Sequence, residues 1–196
     1  MTEMTKLLSI LFVGLLACKP PLEVKQKNHF NCDSLVVNQT QWLEHQKMAL
    51  KKLTSVDGGR VTESLRDANQ VEWKKELAPF AAIDWINKPS YRDSYDVSIF
   101  QDSKSNLKVK CWKAKTKGPP LRTLTVSFLN EIDKIKSIEA EMEVESLGIT
   151  SHKALRLEFS FFGGITALES YEISGFQKFF VGTNEHFTLE GIVLKK

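Results

Sequence analysis

Apolar residues recur every three or four positions in the first half of the chain and every second position from Tyr91 onward. In the first regime Asn38 can cap a helix that carries Trp42, Leu43, Leu50 and Leu53 on one stripe, with Gln46 among them. Gln41 follows Asn38 at the offset a capping box uses. Ser34-Leu35-Val36-Val37 reads as an extra turn of that helix or as a short lead-in. Asp57-Gly58-Gly59 breaks the pattern. A second helical stretch begins near Val61, with Leu65 and Ala68 on one face, and runs on through Trp73, Leu77 and Phe80. Pro79 places a break near Ala78, and Asn87-Lys88-Pro89 ends the helical half.

Beyond Tyr91 the alternation is that of strands. Tyr95, Val97 and Ile99 form one; Leu107, Val109 and Cys111 follow a polar turn; Leu124, Val126 and Phe128 come next. Ile138, Ala140, Met142 and Val144 alternate with Glu139, Glu141, Glu143 and Glu145, and Leu155, Leu157, Phe159 and Phe161 with Arg156, Glu158 and Ser160. Gly163-Gly164 turns the chain into Ile165–Val181, with a bend expected at Gly175, and a last strand carries Phe187, Leu189 and Val193. One apolar and one polar face per strand is the mark of an antiparallel sheet wet on one side, and short turns argue for a meander. The expected fold is therefore α+β: two or three N-terminal helices packed on a curved antiparallel meander sheet of six to eight strands, in one domain over residues 31–196.

The N-terminus adds an address. Lys6 precedes the apolar run Leu7–Leu16, which is too short to span a bilayer and suits a signal peptide over residues 1–17. Leu15-Leu16-Ala17-Cys18 resembles the lipobox of bacterial lipoproteins. That resemblance implies cleavage after Ala17, diacylglycerol on Cys18 and, because Lys19 rather than aspartate follows, the outer membrane of the cell envelope. Residues 18–30 then form a lipidated cysteine and tether, extended by Pro20-Pro21, whose lysines read as a solvated spacer or as partners for anionic headgroups. The stretch from Trp73 through Lys88-Pro89 to Tyr91 resembles a segment of small envelope lipoproteins without an assigned function, and implies no chemistry.

With 42% hydrophobic and 26% charged residues the composition is ordinary for a globular chain. A net charge of +3 is too small to point to nucleic acid. Cys32 and Cys111 remain after Cys18. An oxidising compartment allows a bridge, which would close a loop of roughly eighty residues and stabilise by about 4–5 kcal/mol; two separate thiols are the equal alternative. Cys111 alternates with Leu107 and Val109, so it is expected to face the core, which argues against a catalytic thiolate.

Little else carries chemistry. Carboxylates on alternate strand positions lie about 6.5–7 Å apart, too far for a shared metal, so the glutamate stripe reads as a solvated face. Lys104, Lys108, Lys110, Lys113, Lys115, Lys117 and Arg122 form a run with no acid between them; Lys108, Lys110 and Trp112 are expected on the wet face. That run reads first as a guard against edge aggregation, second as a surface for lipid headgroups or anionic glycan. His29, His45, His152 and His186 show neither metal-ligand spacing nor a nucleophile relay, so no metal, cofactor or catalytic set is assigned. The late aromatic residues Phe159, Phe161, Tyr171 and Phe187 can line a hydrophobic-ligand cavity, although ordinary core explains them more simply. Helices on a curved sheet also resemble the outer-membrane lipoprotein carrier family in architecture, with no motif residue to carry over. Two functions follow: a non-catalytic envelope lipoprotein that binds a protein or serves as an accessory subunit, or a carrier or sensor of a hydrophobic ligand such as a lipid.

Overall fold

The computed structural model describes residues 30–146, 149–162, 164–179 and 184–195. The expected signal peptide, Cys18 and the tether as far as residue 29 lie outside the described residues. The elements run in the order α1 (Cys32–His45), β1 (Ala49–Val56), β2 (Thr62–Arg66), α2 (Trp73–Leu77), a 3-10 segment (Ala78–Asn87), a 3-10 turn (Pro89–Tyr91), β3 (Tyr95–Gln101), β4 (Lys108–Ala114), β5 (Leu121–Phe128), β6 (Ile135–Ser146), β7 (Ile149–Phe162), β8 (Ile165–Phe179) and β9 (Glu185–Leu194). All nine strands join one antiparallel sheet in the order β2-β1-β9-β8-β7-β6-β5-β4-β3.

The expected α+β layering, with two or three N-terminal helices and six to eight strands, is thus corrected. The chain is mostly one nine-stranded sheet with two short α-helices. The strands from β3 to β9 lie where the period of two put them. The error lies before them: Ala49–Val56 and Thr62–Arg66 are strands, not the ends of two helices. Leu50 and Leu53 have helical spacing, but they sit on opposite faces of β1, Leu50 fully buried and Leu53 half-buried. β1 is held by eight paired positions on β9, more than 130 residues further along the chain, a partner that local spacing does not contain.

Helix α1 starts earlier than expected. Asn31, not Asn38, is its cap, accepting from the Ser34 N–H at 2.9 Å. It stops at Lys47, which takes a left-handed φ of 51°. The Lys47 N–H bonds to the Glu44 carbonyl and the Met48 N–H to the Leu43 carbonyl, both at 3.1 Å, and Met48 and Leu43 are both core residues. This is a Schellman motif with lysine where glycine usually stands.

One face of the sheet is covered by the helical layer. A single row of paired residues crosses it: Val97, Trp112, Leu124, Ala140, Leu155, Ile173, Leu189 and Thr54. Phe80, Ile83, Leu77, Trp73 and Leu43 of the helical layer are buried against this face in the same core cluster. Gln39 clamps α1 to β8, its amide donating to the Thr166 carbonyl and accepting from the Leu168 N–H, both at 2.8 Å. The other face is open, and carries Glu139, Glu141 and Glu145 exposed on β6.

Candidate functional site

Under the helical layer lies a buried charge cluster. Glu76 of α2 is 9% exposed at its side chain and accepts from Lys52 Nζ of β1 at 2.8 Å, Arg66 Nη1 of β2 at 3.0 Å and the Tyr171 hydroxyl of β8 at 2.6 Å. Burial alone would raise the Glu76 pKa. The hydrogen bonds from Lys52 and Tyr171, and the charges of Lys52 and Arg66, outweigh it and hold the carboxyl below its ordinary 4.5. The Tyr171 phenol is pushed up by burial and by the same carboxylate. Its ring lies against Gly191, where any Cβ would collide with the ring. Three strands and a helix meet at this one carboxylate. The cluster thus pins α2 to the sheet. Nearby, Trp73 buries its indole N–H without a hydrogen-bond partner among the described residues.

Of the residues expected to line a ligand cavity, two lie in packed core and two nearer the surface. Phe159 and Tyr171 are 0% and 1% exposed and belong to the filled core, with Phe80 packed edge-on to Tyr171 at 5.9 Å. The described void that touches Phe159 measures about 10 Å³ and is lined with Leu35, Val36, Gln39, Leu77, Leu157 and Leu168. That is no larger than a single water needs. Phe161 is 43% exposed at the end of β7, and Phe187 sits half-buried at the border of the core, paired with Gly175 and Val56.

The proposed Cys32–Cys111 bridge is also corrected: both thiols are free. Cys32 is fully buried on α1, with its thiol towards the Phe80 carbonyl at 3.8 Å. On β4 it is Trp112 that faces the helical layer, 2% exposed and 6.0 Å from the Phe30 ring; Cys111 is its neighbour and points to the open face. A bridge would have to pass through the sheet. The same parity puts Lys108, Lys110 and Trp112 on the covered face, not the wet one, and Lys110 Nζ rests 4.7 Å over the Trp112 ring.

The open face carries a second arrangement that sequence reasoning missed. Register brings Glu143, His152, Phe176 and His186 side by side across β6 to β9. His152 stacks on Phe176 at 4.4 Å, Phe176 meets His186 at 5.5 Å, and Glu143 lies 3.8 Å from both His152 and Arg122. Arg122, Glu143, His152 and Phe176 line, with Ala154, Ser174 and Gly175, a shallow depression of about 410 Å³. The two histidines are more than thirty residues apart, so only the strand register could have found the row. No hydroxyl among the described residues bonds either imidazole, and a carboxylate at 3.8 Å is beyond hydrogen-bond reach. Among the described residues no group of three or more metal-ligating side chains forms a metal site. Comparison with protein-family models, curated proteins and solved structures returns no match.

Proposed function

We propose that this chain is a lipid-anchored protein of the bacterial cell envelope, held in the outer membrane through Cys18, and that its exported domain is a non-catalytic binding module for an envelope protein. The anchoring rests on the lipobox-like Leu15-Leu16-Ala17-Cys18. The preference for a binding module over a carrier rests on one observation: the helical layer fills the covered face of the sheet. A carrier for an acyl chain needs a pocket of about 300–1,000 Å³, and the described void beside Phe159 is about 10 Å³. Exposed apolar side chains lie elsewhere, notably Val56, Val61 and Leu65 around the β1–β2 hairpin at 61%, 57% and 65% exposure. Side chains of that kind mark protein contacts more readily than ligand pockets.

Growth on a clickable fatty acid tests the anchor. Wild type takes up label and stays with membranes, whereas Cys18→Ala loses both; equal label on the two proteins defeats the reading. Mass spectrometry of organic extracts from the purified protein tests the module. Covalent acyl chains alone are expected, and one tightly held free lipid per protein would move the assignment to the carrier.

A further inference from the structure

We propose that the β3–β4 edge of the sheet is a membrane-facing surface that takes anionic lipid headgroups; the inference rests on the anchoring proposed above and deepens it. β3 is an outer strand, paired among the described residues with β4 alone. Ile99 and Phe100 stand next to each other on it at 62% and 52% exposure, one on each face of the strand. A regular edge strand with bare apolar side chains invites pairing or burial. The hairpin that bears them is basic: Tyr95 to Lys117 holds six lysines against two aspartates. Asp102 is engaged by the Ser105 hydroxyl at 2.6 Å and the Lys104 N–H at 3.1 Å, and Asp96 lies 3.8 Å from Lys115. Lys104, Lys113 and Lys117 are exposed, with no described carboxylate in salt-bridge range.

The opposite charge is segregated. On the open face Glu139, Glu141, Glu158, Glu172 and Glu190 gather over β6 to β9, with Arg156 among them. A negative bilayer therefore repels that part of the molecule and attracts the β3–β4 edge. The start of the described chain agrees. Phe30 packs on Trp112 of β4, and its carbonyl accepts from the Asn87 amide at 2.9 Å. Phe30 lies twelve positions after Cys18, a reach of at most about 40 Å. An acyl anchor on Cys18 thus keeps Phe30, and Trp112 of β4 beside it, within about 40 Å of the headgroups. Each lysine at an anionic surface strengthens association roughly fivefold, and Phe100 with Ile99 can enter the interface as apolar contacts. Guarding an edge and meeting a membrane are then one use of the same lysines.

The test uses the full lipidated protein in vesicles of phosphatidylcholine with and without phosphatidylglycerol, read by amide hydrogen exchange. The expected result is that residues 95–114 exchange several-fold more slowly in the anionic vesicles. High salt should remove the difference, and so should the triple variant Lys104→Glu, Lys113→Glu, Lys117→Glu, whose melting temperature should match wild type. Equal exchange in both vesicles overturns the proposal. Protection that follows protein density rather than lipid charge also overturns it, and assigns the edge to a second copy. Intact mass identifies failure of the anchor separately. If Cys18 carries no acyl chain, the same protein is mixed with the vesicles and sedimented. Binding to phosphatidylglycerol that the triple variant loses supports the surface without the anchor, and no binding ends it.

Discussion

Burial, with smaller contributions from the charges of Asp84 and Asp33, pushes the Cys32 thiol up to about 12, so it carries almost no thiolate near neutral pH. Cys111 is half-buried on the open face, 3.9 Å from the Thr125 hydroxyl. The two should therefore react very differently with an alkylating reagent. In the folded lipid-free domain Cys111 is expected to modify within minutes and Cys32 only on unfolding; denatured protein should show two free thiols, and reductant should leave the melting temperature unchanged. A melting point that drops on reduction would restore the bridge. The sequence made Cys111 a core residue because it alternates with Leu107 and Val109. Trp112 alternates just as well with Ala114, and a large aromatic buries more apolar area than a thiol. The choice of face was therefore legible in residue size, which the alternation by itself did not weigh.

At the scale of elements, the Glu76 cluster ties α2 to β1, β2 and β8. A carboxyl held below its ordinary value adds stability that is fully present above about pH 4.5 and is lost as pH falls through the lower, folded value. Glu76→Gln leaves Lys52 without its counter-charge in a site only 17% exposed, and breaking such a pair costs about 3 kcal/mol or more. Denaturant midpoints measured from neutral pH down through 4.5 should show the variant less stable at neutral pH and the gap closing in acid; parallel curves would remove the assigned role. None of its three partners shares a helix face or a strand period with Glu76, so no local pattern announces the cluster. The end of α1 is a similar case. A glycine after His45 would have marked it, but Lys47 takes the left-handed turn, at a cost the Leu43–Met48 contact helps to offset.

At the scale of the whole molecule, the core draws on residues from Phe30 to Val193, the two ends meeting through the β1–β9 pairing. The stretch from Phe30 to Lys196 is therefore expected to fold without lipid and to melt in one cooperative transition, read by circular dichroism at near- and far-ultraviolet wavelengths together. Transitions that separate at the two wavelengths would show that the helical layer and the sheet do not form one unit.

The sequence by itself determined the strands from β3 to β9 and the apolar and polar face of most of them, because an antiparallel meander pairs each strand with its neighbour in the chain and alternation is a local signal. The likeness of Leu15-Leu16-Ala17-Cys18 to a lipobox is a local signal of the same kind, being contiguous, and it supports the anchor proposed above. Only the tertiary structure decided that Ala49–Val56 joins the sheet, that β4 turns Trp112 inward, that Lys52, Arg66 and Tyr171 converge on Glu76, and that Glu143, His152, Phe176 and His186 stand in one row. Each of these depends on a partner far away in the chain. Residues with equal local preference for helix or strand, or for one face or the other, are decided by the area they bury and the charges they meet on that partner.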